Sequence, residues 1–155
     1  MSFRFHALGH DQFTRYFSMS EQELKQHRAV LRVADKKPGF PCRVSLEDAN
    51  IGERALLLHF EHLAVESPFR ASHAIYVREG VRTRTCAPGE VPEMFRSRQL
   101  SVRCFDEQAM LTDAYLIDGS QVESVIAKAL DAPHIVHADV HFAKMGCFGA
   151  RVTRA

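Results

Sequence analysis

The sequence predicts a single α+β domain: a largely antiparallel sheet of about six to eight strands, one main amphipathic helix packed on it, and a C-terminal β-hairpin. Strand-like segments follow one another without regular helical crossovers, which argues against a doubly wound parallel sheet. Segment 119–131 carries a single helical stripe of apolar residues. The chain has 155 residues and no linker-like stretch, so we expect residues 1–155 to form one domain.

The individual elements follow from local patterns. Alternating apolar residues and residues that favour a pleated strand predict strands at 3–8, 29–34, 54–63, 72–78, 100–105, 109–117, 135–142 and 147–154. The capping-box pair Ser20 and Glu23 predicts a short helix over 21–27, and Pro92 precedes a helical turn. The two prolines within 37–41 predict an ordered loop.

The main helix is predicted over 119–131. Its apolar residues recur at i, i+3, i+4, i+7 and i+8: Val122, Val125, Ile126, Ala129 and Leu130. Ser120 and Glu123 form a capping-box pattern at its start, and Pro133 ends it. We expect this stripe to pack on the apolar face of the sheet.

The last two strands predict a hairpin with one apolar and one polar face. Val136, Ala138, Val140 and Phe142 alternate with His137, Asp139 and His141. A loop of residues 144–146, with Gly146 in a left-handed conformation, pairs Phe142 with Phe148 and Val140 with Ala150. It also places Asp139 opposite Arg151 and His141 opposite Gly149, because opposed residues share a face.

Charge and composition limit the function classes. The net charge of +1 and the sequence pI of 7.8 argue against nucleic-acid binding and against a polybasic membrane surface. The N-terminus lacks the apolar run of a signal peptide, and no apolar run approaches the ~20 residues of a membrane span. We therefore expect a cytoplasmic protein whose four cysteines, without a Cys-x-x-Cys pair, are free thiols.

A cysteine beside an arginine is the first candidate for chemistry. Cys42 and Arg43 follow the Pro38–Pro41 block, and a neighbouring guanidinium favours the nucleophilic thiolate. The alternative is a packed, unreactive thiol. A nucleophile also needs a base, and His73 and His141 are the candidates for that role.

The polar face of the hairpin is the second candidate. Residues at i, i+2 and i+4 of a strand share a face, so His137, Asp139 and His141 could meet at a metal ion, with His59 as a further candidate ligand. The common alternative is a sheet face with an Asp139–Arg151 cross-strand pair, and we predict no metal. In the segment His59–His62, His59 and Glu61 share one face and His62 points to the opposite one, and His73 lies nearby if the strands 54–63 and 72–78 pair. A metal site could take one ligand from each strand, but histidines that are hydrogen-bonded to backbone or carboxylate groups are the more common explanation.

Basic residues provide the third candidate. Arginines recognise carboxylate or phosphate groups through a planar fork, and several are clustered in the second half of the chain: Arg82, Arg84, Arg96, Arg98 and Arg103. We expect Arg43 and Arg98 to contact an anion, with Lys144 and Cys147 of the hairpin as further ligand-binding residues. Ordinary solvated surface charge is the alternative.

Several blocks resemble an uncharacterised bacterial family of unknown function. They include Pro38-Gly39-Phe40-Pro41-Cys42-Arg43 and the closing His141-x-Ala143-Lys144-x-Gly146-Cys147-Phe148. The resemblance spans almost the full chain and implies a small stand-alone bacterial protein, but no activity, substrate or cofactor. Members of that family often carry another histidine at the position of Asp139. The aspartate here weakens a shared His-x-His metal site and leaves His141 as the better candidate.

Three functional hypotheses remain open at this point. The first is a cytoplasmic protein that binds a small anionic ligand in a pocket, with catalysis by cysteine and histidine undecided. The second is a metal-dependent enzyme or metal-binding protein that uses strand histidines. The third is a non-catalytic interaction module or homodimer. The sequence does not identify the substrate, the cofactor or the reaction.

Overall fold

A computed structural model describes residues 2–155. In chain order the elements are β1 (Phe3–His6), 3₁₀ turns at His10–Gln12 and Thr14–Ser18, α1 (Glu21–Gln26), β2 (Ala29–Val33), β3 (Arg54–Leu63), β4 (Ala71–Arg78), α2 (Glu93–Arg96), β5 (Gln99–Phe105), β6 (Leu111–Asp118), a 3₁₀ turn at Gly119–Gln121, α3 (Val122–Asp131), β7 (His137–Phe142) and β8 (Phe148–Arg154). The predicted α+β class with antiparallel strands is confirmed.

The strands form two sheets, whereas the sequence predicted one. The larger sheet has the order β1-β8-β7-β5-β6 and the smaller one β2-β3-β4, each with antiparallel neighbours. Two separate cores explain the division. Helix α3 covers one face of the larger sheet, while the N-terminal 3₁₀ turns and α1 supply Phe13 and Leu24 to a second core against β3 and β4.

Helix α3 packs as its apolar stripe predicts. Val122, Ile126, Ala129 and Leu130 are buried in the core of the larger sheet. The predicted capping box of Ser120 and Glu123 is wrong, because the capping residue is Asp118. The Asp118 side chain accepts a hydrogen bond from Ser120 N–H at 2.9 Å, and the Gln121 side chain accepts one from Asp118 N–H. A 3₁₀ turn therefore precedes the α-helical part.

The terminal hairpin keeps the predicted register in its middle and loses it near the loop. Val140 pairs with Ala150 and Asp139 with Arg151, as predicted, but His141 pairs with Phe148 rather than Gly149. Phe142 bonds to Cys147 and not to Phe148. The loop thus has four residues, with Gly146 left-handed as predicted at a φ of 77°, and a bulge at Gly149 absorbs the one-residue slip.

The far end of β3 covers part of the polar face of the larger sheet. The His62 ring stacks on the Phe148 ring with centroids 4.7 Å apart. The β3–β4 connection reaches the end of β5, where Phe69 meets Phe105 edge to face and Ser67 Oγ donates to the Ala109 carbonyl at 2.9 Å. The smaller sheet therefore covers part of the polar face of the hairpin. No helix within residues 2–155 is long and apolar enough to cross a membrane.

Candidate functional site

A row of charged side chains crosses the polar face of the larger sheet. Arg103 of β5 is the cross-strand neighbour of Asp139 of β7, which in turn is the neighbour of Arg151 of β8. Opposed residues on neighbouring strands project to the same side. Two guanidinium groups therefore flank one carboxylate.

Arg151, one of the two arginines, binds the single carboxylate of this row. Asp139 is fully buried at 0% exposure and accepts two hydrogen bonds from Arg151, at 2.8 Å from Nε and 2.9 Å from Nη2. This bidentate geometry is the strong form of the arginine–carboxylate pair. The cross-strand pair that the sequence offered as the alternative to a metal ion is present.

Within residues 2–155, no carboxylate pairs with Arg103. Its Nε donates to Ser101 Oγ at 3.2 Å, which turns the guanidinium towards the position where Ser101 opposes His141. Burial lowers the pKa of Arg103, while the charge of Asp139 acts in the opposite direction. Two guanidinium groups and one carboxylate give the row a net charge of +1, and Arg103 is the arginine that no carboxylate binds directly.

Two histidines from different sheets lie against each other beside this row. The rings of His62 and His141 meet edge to face with centroids 5.1 Å apart, and both contact the Phe148 ring. Burial is the main cause that lowers the pKa of each to about 4. Both imidazoles are therefore neutral at neutral pH.

The tautomer of His141 follows from its hydrogen bond. Its Nδ1 lies 3.0 Å from the Gly146 carbonyl oxygen, which can only accept, so Nδ1 carries the proton. The Nε2 of the neutral ring is therefore a hydrogen-bond acceptor. His62 adds a further unused group, because its Nδ1 is buried and has no hydrogen-bond partner in the described part of the chain.

His62, Arg103 and His141 form what we call the imidazole–arginine cluster. The sequence had assigned these residues to separate candidate sites. His73 of β4 joins its border: it opposes Phe60 on β3, and its charge would lower the pKa of His62. The sequence considered His62 only within the His59–His62 segment and did not place it beside His141, because this contact joins strands of two different sheets.

The two arginines predicted to contact an anion do come together, but protein groups occupy them. The guanidinium carbons of Arg43 and Arg98 each lie 5.1 Å from the centre of the Phe142 ring. Arg98 binds both carboxylate oxygens of Asp48. Burial opposes ionisation of Asp48, but the hydrogen bonds and charge of Arg98, the Gly39 backbone hydrogen bond and the charge of Lys37 together hold the pKa of that carboxyl below its usual value.

Arg43 is a structural residue of the interior. It is 1% exposed and donates from Nε to the Phe148 carbonyl at 2.7 Å and from Nη1 to the Pro41 carbonyl. Burial lowers its pKa, and the neighbouring Cys147 side chain counteracts this. Cys147 is half-buried at the end of the hairpin loop, whereas Lys144 in the loop is exposed.

Cys42 is a packed thiol. It is 0% exposed, and its Sγ accepts hydrogen bonds from the backbone N–H groups of Val44, Ser45 and Arg78 at 3.3–3.4 Å. No histidine is among the hydrogen-bond partners of this sulfur in residues 2–155. The environment is that of the unreactive alternative, because a nucleophilic cysteine requires access and a base.

The candidate metal ligands do not converge. His59 is exposed on the smaller sheet, next to Ala74, away from the β7 residues. His137 stacks on Phe105, and its Nε2 lies 3.8 Å from Asp139 Oδ1, too far for a hydrogen bond. Across residues 2–155 no group of three histidine, cysteine or acidic side chains is arranged to hold a metal ion.

Two surface depressions lie elsewhere on the smaller sheet. Phe13, Phe17 and Val77 help to line one, and Val30, Leu57 and His59 help to line the other. Polar side chains also line both: His10, Arg78 and Glu79 in the first, and Lys25 and Arg28 in the second. We choose the imidazole–arginine cluster as the candidate site because Arg103 lacks a carboxylate partner and buried imidazoles lie beside it.

Comparison with known proteins gives one family and no individual relative. Neither the search of curated proteins nor the search of solved structures returned a match. A family model described as a protein of unknown function, DUF1203, matches residues 39–154, a span that holds both blocks quoted above from Gly39 onwards and the whole imidazole–arginine cluster. The chain belongs to the DUF1203 family.

Proposed function

We propose that this protein binds a small oxyanion, a carboxylate or phosphate group, at the imidazole–arginine cluster. The observation that carries the proposal is the uncompensated guanidinium of Arg103 beside two imidazoles with unused nitrogen atoms. Asp139 neutralises Arg151 through two hydrogen bonds, which leaves the positive charge of Arg103 without a carboxylate. A guanidinium group without a carboxylate partner can bind a carboxylate or phosphate group through two parallel hydrogen bonds.

The local charges favour an anion over a cation. Arg103 and Arg151 contribute two positive charges and Asp139 one negative charge, while His62 and His141 are neutral because their pKa is about 4. A partly buried region with net positive charge attracts anions more strongly than an exposed one, since fewer water molecules screen it.

Access to the cluster is from the side of Arg103. Arg103 is half-buried and β6, the next strand, forms the exposed edge of the sheet. His141 is only 2% exposed, because the His62 ring leans against it. Binding of the same ligand by Arg103 and His141 therefore requires the His62 ring to move, and shifts of the His62 signals in the titration below would report that movement.

A titration followed by NMR tests the proposal. Inorganic phosphate and glycolate are added separately to the wild-type protein while the imidazole C–H signals of its nine histidines are recorded. We expect saturable shifts at His62 and His141. Arg103→Gln should weaken binding about 10-fold or more, because a charge-assisted hydrogen bond contributes ~1.5–3 kcal/mol.

Arg96→Gln is the matched control. Arg96 of α2 is also an arginine in the second half of the chain, but its guanidinium pairs with Glu123 of α3 at 3.0 Å. It should leave the affinity for both anions unchanged. Equal affinity of the Arg103→Gln and wild-type proteins, or shifts at histidines outside the cluster only, would contradict the proposal.

A further inference from the structure

The acceptor nitrogen of His141 narrows the class of anion. The Gly146 carbonyl keeps the proton of His141 on Nδ1, so Nε2 presents a lone pair at neutral pH. A lone pair repels the oxygen atoms of a fully ionised anion. It is satisfied by a ligand that donates a hydrogen bond.

Arg103 presents the opposite chemistry on the same face of the sheet. Ser101 opposes His141 across β5 and β7, and Arg103 Nε donates to Ser101 Oγ, so the guanidinium leans towards the His141 side of the row. Its Nη atoms carry only donors. The two residues together offer donors on one side and an acceptor on the other.

We propose that the ligand is an oxyanion that carries an O–H group beside its ionised oxygen, such as a hydroxycarboxylate or a monoprotonated phosphate. Arg103 binds the ionised oxygen, and His141 Nε2 accepts the hydrogen bond from the O–H group. His141 is then the specificity-determining residue of the site. This inference rests on the oxyanion binding proposed above and adds the requirement for a donor.

The surrounding groups support a neutral His141 in this role. Burial is the main cause that lowers the pKa of His141, and the charge of Arg103 on β5 lowers it further, while the Gly146 carbonyl and Asp139 on β7 act in the opposite direction. Arg151 of β8 is bound to Asp139, burial also lowers the pKa of His137 on β7, and His73 of β4 and His62 of β3 border the region. The positive groups outnumber the single carboxylate, so His141 does not gain a proton readily.

Phosphate and sulfate provide a sharp comparison. At about pH 7.5 both are mainly tetrahedral dianions of nearly equal size, but only phosphate retains an O–H group. Isothermal titration calorimetry with the wild-type protein should show phosphate binding about 10-fold or more tighter than sulfate, since sulfate cannot donate a hydrogen bond to His141 Nε2. Glycolate should exceed acetate in the same direction.

The variant His141→Phe removes the acceptor and keeps an aromatic ring. It should bind phosphate and sulfate with equal affinity, whereas Arg103→Gln should weaken both. If His141→Phe fails to fold, as judged by circular dichroism, the two wild-type comparisons alone decide the matter. Equal wild-type affinities for phosphate and sulfate, and for glycolate and acetate, overturn the donor requirement and leave oxyanion binding intact. Absence of binding by all four anions overturns both proposals.

Discussion

Acidification should destabilise this protein through His141. Its pKa is about 4 in the folded chain against 6.5 for an unperturbed histidine. The unfolded chain therefore binds a proton at a higher pH than the folded chain, and the free energy of unfolding rises with pH between about 4 and 6.5. The stabilising contribution is complete above the unfolded pKa and is lost as pH falls through this window.

The magnitude follows from the difference in pKa. One pKa unit corresponds to about 1.4 kcal/mol, so His141 alone reduces the free energy of unfolding by about 3 kcal/mol once the pH is below 4. Between pH 7 and pH 5 the loss is about 2 kcal/mol for this one residue. His62, whose pKa is also about 4, adds to it by a smaller amount because its ring is less buried.

Urea denaturation at pH 7 and pH 5 measures the effect. The wild-type protein should lose stability between the two pH values, and His141→Gln, which cannot titrate, should lose about 2 kcal/mol less. His59→Gln is the control, because His59 is exposed on the smaller sheet, away from His141 of the larger sheet, and its replacement should leave the pH dependence unchanged. An identical pH dependence in the wild-type and His141→Gln proteins would refute the assignment of a buried neutral imidazole.

Two further substitutions test the packing around the site. Asp139→Asn should lower the free energy of unfolding by about 3 kcal/mol, since it breaks a buried pair and leaves Arg151 uncompensated; urea denaturation that finds less than half of this would show that the pair is weak. Gly149→Ala should cost ~1–3 kcal/mol, because the new Cβ would lie 2.7 Å from the Phe95 ring and 2.9 Å from the Val140 carbonyl oxygen. An unchanged midpoint of thermal unfolding would show that the backbone at the bulge shifts to accommodate the new Cβ without a loss of stability.

The hairpin shows how far sequence reasoning extends in this protein. The period of two along 135–142 correctly assigned Ala138, Val140 and Phe142 to the core and predicted the Asp139–Arg151 pair. It did not predict the bulge at Gly149, because a bulge depends on tertiary contacts. Here the Phe95 ring from α2 occupies the space in which a side chain would stand.

The candidate site was predictable in part. His141 and the anion-binding character of the arginines were inferred from residue types, and Arg103 was one of several arginines considered. The selection among those arginines depends on which carboxylates pair with which: Arg98 with Asp48, Arg96 with Glu123, and Arg84 with Glu90. These partners are separated by up to 50 residues in the chain, so no local pattern indicates them.

Phe148 connects the two polar centres of the molecule. Its backbone carbonyl receives the Arg43 side chain, and its ring supports His62 and His141 on the other side of the hairpin. The segment around Pro41, which Arg43 also binds, is thereby joined to the imidazoles through a single residue. A ligand at the proposed site that displaces the imidazoles should therefore also disturb the Arg43 hydrogen bonds. A change in amide exchange within the 38–43 segment on addition of phosphate would report this connection.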